Sequence, residues 1–212
     1  MSQKDIGNKT PLHELKTTKE VMEYYDEWSK DNKYNNDMND WEYSGPKETS
    51  QILAKYQKDK NIKIYDAGCG SGLVGLELKK YGYSNFDGAD ISKELINKVP
   101  INLYNELKQL DLNKKIPKKD DIYDVVMCVG TFTFAHVNAQ ALDEFVRITK
   151  KNGYICFTIN EAIYTDYGFK SKIDNLVSCN LIKEIEFFKS NYLASKDVNA
   201  WLGLYKVLWK LY

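Results

Sequence analysis

The sequence predicts an α/β protein in which a doubly wound sheet follows a helical N-terminal extension. Short apolar segments alternate with amphipathic segments five times between about residues 60 and 160. Such alternation is typical of parallel strands joined by right-handed crossovers. The segment YDVVMCVGTF is apolar almost throughout, as in a strand that is buried on both faces of a parallel sheet. A glycine-rich turn, DAGCGSG, joins the first strand of this pattern to its first helix.

The beginning of the chain indicates a flexible tail and then a helical extension. Residues 1–16 are polar and are expected to be loosely ordered. Residues 17–58 form the extension, and apolar side chains at positions 21–28 have the i, i+3, i+4 and i+7 spacing of one helix face. A polar stretch, KDNKYNNDMND, is expected to interrupt this helix. A second helix is expected from about residue 46 to residue 56, because proline is favourable in a first turn.

Residues 59–212 predict a Rossmann-like sheet domain of about seven strands. NIKIYDAG indicates the first strand, and LVGLELKKYG a helix that ends at Gly82. NFDGADI is the second strand, SKELINKV a helix capped by Ser92, and a weaker third strand is expected near residues 104–109. YDVVMCVGTF is the fourth strand, NAQALDEFVRITKKNG a helix that ends at Gly153, and YICFTIN the fifth strand. A further helix and two strands, IKEIEFF and LGLYKVLWKLY, complete the domain.

Charge and cysteine content restrict the ligands that are expected. Thirty Lys plus Arg balance thirty Asp plus Glu, so no excess charge attracts nucleic acid or a membrane surface. Arg147 is the only arginine, which disfavours a polyphosphate ligand, since arginine is the preferred bidentate partner of phosphate. The four cysteines lie far apart, so reduced thiols and no metal site are expected. Without an apolar leader or span, the protein is expected to be cytoplasmic, as a monomer or homodimer.

The turn after the first strand is a candidate ligand site. Gly70, Gly72 and Gly75 spell G-x-G-x-x-G, and glycines at a strand-to-helix turn let the backbone approach a ligand closely. Asp90 ends the second strand, where a carboxylate can accept hydrogen bonds from a ribose. The alternatives are a purely structural turn and an aspartate that starts the next helix. Gly75 is better explained as a glycine that lets the helix pack closely.

Asp66 distinguishes two kinds of adenosine-containing cofactor. A carboxylate beside the turn would repel the pyrophosphate of a dinucleotide such as NAD. The same carboxylate suits a ligand with an ammonium group, through a charge-assisted hydrogen bond or a water. S-adenosylmethionine (SAM) has that ammonium and no phosphate, so SAM is the favoured cofactor. Asp66 can alternatively cap the amides of the glycine turn, and the two roles are compatible.

The segment from Asp66 to Gly72 resembles motif I of the class I SAM-dependent methyltransferases. Later landmarks follow in the order of that family: an acidic end to the second strand, Leu-Asp after the third, an apolar fourth strand and a helix leading through KKNG to the fifth. The resemblance implies Asp90 on the ribose, Asp111 towards the adenine amine and Leu110 against the ring. It also implies that the last strand runs antiparallel at the sheet edge.

The flanking segments are similar to the Williams–Beuren-region methyltransferase-like proteins and their bacterial relatives. YDEW, YNNDM, WEY and GP resemble the N-terminal lid of that subfamily, and YGFKSK, IKEIE and YL resemble its final part. Members of the subfamily differ in substrate. The Pro-Gly-Gly that usually precedes the fifth strand is Lys-Asn-Gly here.

The aromatic residues of the extension have two explanations. Many of them are expected to be core residues on an amphipathic helix face. The functional interpretation is a lid that excludes water and turns rings and hydroxyls towards the sulfonium of the cofactor. Trp28 and Tyr34 are the expected lid contacts to the cofactor, and Tyr25 and Tyr43 are expected in the substrate pocket. The candidate cofactor-binding residues are then Trp28, Tyr34, Asp66, Gly68, Cys69, Gly70, Gly72, Asp90, Ile91, Leu110, Asp111, Cys128, Val129 and Gly130.

His136 is the candidate catalytic residue. It follows the fourth strand, and ligands of such sheets bind beyond the carboxyl ends of the strands. A structural hydrogen bond is the alternative role. A base is needed only when the acceptor arrives protonated, because alignment supplies much of the acceleration of a displacement reaction. Phe132 and Phe134 are candidate walls of the substrate pocket, with core packing as the alternative.

These observations together lead to one expected function and two alternatives. The expected function is transfer of a methyl group from SAM to an oxygen, nitrogen or sulfur nucleophile of a small molecule, with S-adenosylhomocysteine (SAH) as the product. A NAD-dependent oxidoreductase and a non-catalytic SAM-binding protein are the alternatives. No nucleic-acid or membrane partner is expected, and no motif identifies the methyl acceptor.

Overall fold

The computed structural model describes residues 14–134 and 137–208 of the chain. Most of the predicted tail therefore lies outside the described residues. Three helices precede the first strand: α1 (Thr18–Trp28), α2 (Lys33–Asp40) and α3 (Gly45–Tyr56). A proline occupies the first turn of α3, as the sequence predicts.

Helix α1 begins with a capping box. The Oγ1 atom of Thr17 accepts a hydrogen bond from the Glu20 amide at 3.2 Å, and the Glu20 carboxylate accepts one from the Thr17 amide at 2.8 Å. The helix buries Val21, Tyr24 and Trp28, which are three of the residues on the predicted face. The spacing of apolar residues therefore located both the helix and its buried side.

The polar stretch after α1 is helical, contrary to the sequence prediction. A 3₁₀ turn over Lys30–Asn32 leads directly into α2. Asp31 and Asn32 both have positive φ, 51° and 59°, a conformation that Asp and Asn tolerate better than most residues. The turn folds α2 back onto α1, where the Trp28 indole donates a hydrogen bond to Asp37 at 2.7 Å. Tertiary contacts thus stabilise a helix that its polar sequence did not indicate.

The first half of the sheet contains three parallel strands. Strand β1 (Ile64–Ala67) pairs with β2 (Phe86–Asp90), and β2 pairs with β3 (Glu106–Gln109). Helices α4 (Leu73–Lys80) and α5 (Lys93–Ile96) connect them. All three strands lie where the sequence predicts them.

The central part of the sheet differs from the prediction at one boundary. Strand β4 (Tyr123–Phe132) pairs in parallel with β1 and with β5 (Thr149–Asn160), and helix α6 (Ala141–Ile148) joins β4 to β5. The helix was expected to continue to Gly153. A Cβ atom on Gly153 would lie 2.5 Å from the carbonyl oxygen of Asp124, so this glycine is required by close strand contact and not by a helix end.

Two antiparallel pairings complete the sheet. After α7 (Phe169–Ser178) come β6 (Ile182–Leu193) and β7 (Val198–Val207). Strand β7 lies between β5 and β6 and runs antiparallel to both. The last strand is therefore antiparallel, as expected, but it lies one position inside the edge that β6 forms.

The seven strands have the order β3-β2-β1-β4-β5-β7-β6. The connections turn outwards in opposite directions from β1 and β4, so a crevice is expected where the carboxyl ends of these two strands separate. Buried side chains fill both faces of the sheet, one under α6 and α7 and the other under α3 and α4. A third cluster joins α1 and α2, which we call the lid, to the end of β6.

Candidate active site

A cleft lies over the carboxyl ends of the central strands, beneath α1. This is the usual place for small ligands in sheets of this kind. Four residues of α1 and α2 also line it: Thr18, Val21, Tyr25 and Tyr34. The predicted cofactor residues that line this cleft are Tyr34, Gly68, Gly70, Asp90, Ile91, Leu110, Asp111, Val129 and Gly130.

The glycine turn is held against the end of β2. The Gly68 and Cys69 amides donate hydrogen bonds to the Ala89 carbonyl at 2.8 and 3.0 Å. Gly68 has φ +82° and lies so close to Thr131 that a Cβ atom would be 1.9 Å from its Oγ1 atom. Gly70 also has positive φ, +52°, yet no atom lies within 4 Å of the position of its Cβ. The turn therefore needs glycine for its conformation and leaves open space for a ligand at Gly70.

Asp90 is part of the turn as well as of the cleft. Its Oδ2 atom accepts a hydrogen bond from the Gly70 amide at 2.8 Å, and its Oδ1 atom accepts one from the Ser92 amide at 2.9 Å. Burial raises the pKa of the Asp90 carboxyl to about 6, although these backbone hydrogen bonds act in the opposite direction. Each carboxylate oxygen retains a second lone pair, so Asp90 can hold the turn and still accept a hydrogen bond from a ribose.

Asp66 is a buried carboxylate with one oxygen unpaired. The Tyr104 hydroxyl donates a hydrogen bond to its Oδ2 atom at 2.5 Å. Its Oδ1 atom has no hydrogen-bond partner in the part of the chain that the structure describes. Burial raises the pKa of Asp66 to about 7, and the charge of Asp90 adds to the increase, while the Tyr104 hydrogen bond opposes it. An orphaned carboxylate oxygen next to an open glycine turn fits a cofactor that carries an ammonium group.

Tyr104 is a site residue that the sequence did not reveal. It lies before β3, and its ring packs against two glycines of neighbouring elements. A Cβ atom on Gly75 would lie 2.6 Å from the Tyr104 hydroxyl oxygen, and one on Gly88 would lie 3.1 Å from the ring. These two glycines form a slot that brings the hydroxyl to Asp66. The presence of glycine at both positions was the sequence signal that could have revealed Tyr104. It also supports the interpretation of Gly75 as a packing residue.

The far end of the cleft is formed by the chain after β3. Leu110 and Asp111 line it, and the Leu110 amide donates to the Asp90 carbonyl at 2.8 Å. The Oδ1 atom of Asp111 accepts a hydrogen bond from the Asn113 amide at 3.0 Å. The residues expected around an adenine ring thus lie together at one end of the cleft.

Five of the predicted cofactor residues do not line this cleft. Cys69 lines a small side pocket beside the turn, and Trp28 lines a second cavity that is described below. Gly72, with positive φ, precedes the first residue of α4, and Asp66 is buried.

Cys128 is the fifth predicted cofactor residue that does not line the cleft. Its position corrects the prediction that it lies along the cofactor. Its side chain is fully buried in the core on the α6 and α7 face of the sheet, because successive residues of β4 point to opposite faces. Burial also raises the pKa of its thiol well above the ordinary value.

A second cavity adjoins the cleft, and we call it the aromatic chamber. Gly130, Tyr25 and Tyr34 line both spaces. Gly130 has φ +83°, and a Cβ atom there would lie 2.5 Å from the Tyr43 hydroxyl oxygen. The described residues that line the chamber are Tyr25, Trp28, Tyr34, Met38, Tyr43, Gly130, Thr133, Asn160, Tyr192 and Leu193.

The chamber is closed where the lid meets β6. The Ser44 amide donates to the Tyr192 carbonyl at 3.1 Å, and Tyr43 forms an isolated bridge with Leu193. The Tyr43 and Tyr192 rings meet edge to face with centroids 4.9 Å apart. Tyr192 is a second residue that sequence reasoning missed, because it reaches the site from the far end of the chain.

The prediction that Phe132 forms a wall of the substrate pocket is wrong. Its side chain is fully buried in the core, with its ring centroid 4.7 Å from that of Phe169. Phe134 packs against the same core cluster and meets Tyr167 edge to face at 5.7 Å, and it lines neither cavity. Core packing therefore accounts for both phenylalanines. His136 lies outside the described residues.

Among residues 14–134 and 137–208, no group of three His, Cys, Asp or Glu side chains is placed to hold a metal ion. No helix in that part of the chain combines the length and the apolar character needed to span a bilayer.

A glycine turn under an orphaned aspartate, an acidic end to β2 and this strand order define a class of protein. These features, with the similarities that follow, support a class I SAM-dependent methyltransferase, a class whose cofactor is SAM. A family model described as a methyltransferase domain matches residues 65–157. That match contains the turn and strands β2, β3 and β4.

Individual proteins show how far the similarity extends. Human methyltransferase-like protein 27 is 27% identical over 150 residues, which is 69% of this chain and 60% of that protein. An uncharacterised protein of Methanocaldococcus jannaschii is 27% identical over 220 residues, which covers 92% of this chain and 93% of that one. A structure from Listeria monocytogenes, assigned as a SAM-dependent methyltransferase, has a TM-score of 0.60 at 14% identity and covers 76% of this chain and 98% of that one. The subfamily suggested by the flanking segments stays a prediction.

Proposed function

We propose that the protein transfers a methyl group from SAM to an oxygen, nitrogen or sulfur nucleophile of a small molecule held in the aromatic chamber. The observation that supports this most directly is the shared wall of the two cavities. Gly130, Tyr25 and Tyr34 line the cleft and the chamber at once. A cofactor in the cleft and an acceptor in the chamber would therefore meet at the end of β4.

The chain offers a separate group for each part of the cofactor. The orphaned Oδ1 atom of Asp66 suits the ammonium, Asp90 suits the ribose hydroxyls, and Leu110 with Asp111 suits the adenine. When bound, SAM supplies a methyl group on a sulfonium, whose leaving group is a neutral thioether. The part of the protein is to align the acceptor with that methyl group and to exclude water.

The chamber supports catalysis by alignment. Its described lining contains no Asp, Glu, His or Lys side chain. Burial raises the pKa of the Tyr25, Tyr34 and Tyr43 hydroxyls, so these groups stay protonated and act as hydrogen-bond donors and not as bases. His136, beyond the end of β4, stays the candidate base for an acceptor that arrives protonated.

The competing NAD hypothesis lacks a cation for the pyrophosphate. No Lys or Arg is among the described residues that line the cleft. Arg147 is bound to Glu144 and Asp120, at 2.6 Å each. The buried carboxylates of Asp66 and Asp90 would instead repel a pyrophosphate, which favours SAM.

The proposal also covers the cellular compartment, the oligomeric state and the partners of the protein. Cys69, Cys128, Cys156 and Cys179 are all free, which supports a reducing compartment such as the cytoplasm. We propose that the protein acts there as a monomer or homodimer, without a nucleic-acid or membrane partner.

Calorimetry with SAM, SAH and NAD tests the cofactor, and labelled SAM with a metabolite extract tests the transfer. We expect SAM and SAH to bind and label to pass to a small molecule. Binding of NAD without affinity for SAM or SAH would overturn the proposal. Tight SAM binding with no transfer to any extract would favour a non-catalytic SAM-binding protein.

Replacement of Asp90 tests its assignment to the ribose. Asp90→Ala removes a carboxylate that lines the cleft and holds the Gly70 amide. We expect cofactor affinity to fall by about 1–3 kcal/mol, because charge-assisted hydrogen bonds are lost. The dissociation constant for SAH, measured by calorimetry, would be unchanged if Asp90 were not part of the site.

A further inference from the structure

The aromatic chamber has an uncharged but electron-rich lining. Five of its described lining residues are aromatic: Tyr25, Trp28, Tyr34, Tyr43 and Tyr192. Polar atoms come from hydroxyls and from Asn160, and no charged side chain is present in the described lining. Aromatic faces carry negative electrostatic potential, so a space enclosed by them favours a positive group over a negative one.

The rings are arranged as a cage. Trp28 meets Tyr34 edge to face with centroids 5.0 Å apart and stacks on Tyr25 at 5.8 Å. Tyr43 and Tyr192, which also line the chamber, meet at 74° with centroids 4.9 Å apart. Rings from the lid and from β6 thus surround one space from different directions.

Buried carboxylates extend a negative field into this cage. Burial is the main cause of the raised pKa of Tyr34 and Tyr43, and the charges of Asp90 and Asp66, respectively, raise these pKa values further. Asp37, which accepts the Trp28 indole hydrogen bond, is paired with Lys33. Asp66 and Asp90 form no ion pair among the described residues, so their ionised forms add negative potential at the neighbouring tyrosines.

We propose that the acceptor is a compact amine, with nitrogen as the methylated atom and no negative charge of its own. This rests on the proposed methyl transfer. The lone pair of the neutral amine forms the new N–C bond while the C–S bond to the leaving thioether breaks. The positive charge passes to the nitrogen, where the cage stabilises it, and any proton on that nitrogen is then released to water.

This assignment separates amines from anionic and hydroxyl acceptors. A carboxylate or phosphate-bearing acceptor would enter a negative field with no described cation to receive it. A hydroxyl acceptor would have to lose its proton during transfer, and the chamber tyrosines stay protonated. An amine can enter the chamber from its neutral form in solution, whose proton is already in bulk solvent, so no chamber residue has to act as a base.

Three ligands of nearly equal shape test the charge preference of the cage. Choline, 3,3-dimethylbutan-1-ol and 3,3-dimethylbutanoate are titrated into the SAH-loaded protein by calorimetry. SAH is used because it lacks the sulfonium charge, which would oppose a cationic probe. We expect choline to bind about tenfold more tightly than the neutral alcohol, as cation–π contacts in a desolvated site predict, and the carboxylate not to bind.

The outcomes distinguish this proposal from the methyltransferase proposal. Equal or tighter binding of the neutral alcohol, preferred binding of the carboxylate, or no binding of choline would each overturn the amine assignment. The affinity for SAH itself is measured in the first titration and reports on the cofactor site alone. Label transferred to a hydroxyl compound would overturn the amine and leave methyl transfer intact.

A matched pair of variants at Tyr192 tests the ring contribution. Tyr192 lines the chamber and does not line the cleft. Tyr192→Phe keeps the aromatic face, so the preference for choline should stay within about twofold of its original value. Tyr192→Leu removes that face, and the preference should fall about threefold. A preference unchanged in Tyr192→Leu would contradict the cage, and the isostere series on the unaltered protein decides the proposal even if a variant fails to fold.

Discussion

Asp66 is the buried carboxylate that we propose binds the ammonium of the cofactor. Burial brings its pKa to about 7, far above the ordinary value for an aspartate. Between about pH 4 and pH 7 the folded protein therefore keeps a proton that the unfolded chain has released. Folding stability from this group is present at low pH and is lost as the pH rises through 7.

Asp66→Asn tests this linkage in the cofactor-free protein. The amide cannot ionise, so the variant should gain stability relative to the original protein as the pH rises from 5 to 8. We expect a difference on the order of 2–4 kcal/mol, by the relation between pKa shift and free energy. Urea unfolding at several pH values measures it, and a difference independent of pH would contradict an elevated pKa. The same variant should lose affinity for SAM.

Tyr104→Phe isolates the hydroxyl that positions Asp66. The hydrogen bond from Tyr104 lowers the pKa of that carboxyl, so its loss should raise the pKa further. On acidification, affinity for SAH should therefore begin to fall at a higher pH than in the original protein. Loss of the hydrogen bond should also change the free energy of unfolding by about 1–2 kcal/mol. Calorimetry over a pH series locates the midpoint. An unshifted midpoint would mean that Tyr104 has only a packing role.

At the level of secondary structure, the end of β4 depends on one glycine. Gly130 separates the cleft from the chamber, and a side chain there would meet the Tyr43 hydroxyl. Gly168 has a similar φ, +79°, with no atom within 4 Å of its Cβ position. The two glycines can therefore be compared directly. Both have a backbone conformation that is unfavourable for other residues, and Gly130 also has a steric conflict.

Gly168→Ala and Gly130→Ala should differ in stability for that reason. We expect Gly168→Ala to cost about 1–2 kcal/mol from backbone conformation alone. Gly130→Ala should cost about 1–3 kcal/mol more, because the methyl group displaces Tyr43. Urea unfolding compares them, and adding Tyr43→Phe to Gly130→Ala should recover part of the difference. Equal costs at the two glycines would show that Tyr43 moves aside freely.

Sequence periodicity located most elements but not those that depend on distant contacts. The apolar face of α1, the alternation before β1 and the continuous apolar run of β4 are local patterns, so they could be read directly. Helix α2 has few apolar residues and is stabilised by packing on α1. Tyr104 contacts Asp66, which lies 38 positions earlier in the chain, and Tyr192 contacts Tyr43, which lies 149 positions earlier. No local sequence pattern records such distant contacts.

At the scale of the whole molecule, two polar contacts hold the lid over the cleft. The Ser71 hydroxyl donates to the Asn35 side chain at 2.5 Å, and the Ser92 hydroxyl donates to Asp26 at 2.5 Å. Both serines belong to the elements that form the floor of the cleft. The lid is thus fastened to the loops that a cofactor would touch.

Hydrogen exchange should reveal this attachment. Binding of SAH should slow amide exchange in α1 and α2 by about tenfold or more, because the lid cannot open while the ligand fills the cleft. Helix α7, on the far face of the sheet, should exchange unchanged and serves as the internal control. Mass spectrometry of proteolytic fragments measures both regions. Equal slowing in α7 would indicate a global effect and not closure of the lid.

The shared wall at Gly130, Tyr25 and Tyr34 also limits how such an enzyme can diversify. Under the proposed function, a substitution in that wall alters the binding of cofactor and acceptor at once, so we expect most changes there to impair methyl transfer. Residues that line the chamber alone, such as Met38, Asn160 and Tyr192, are under no such double constraint. New acceptor preferences should therefore arise at the lid and at β6, while the end of β4 stays fixed.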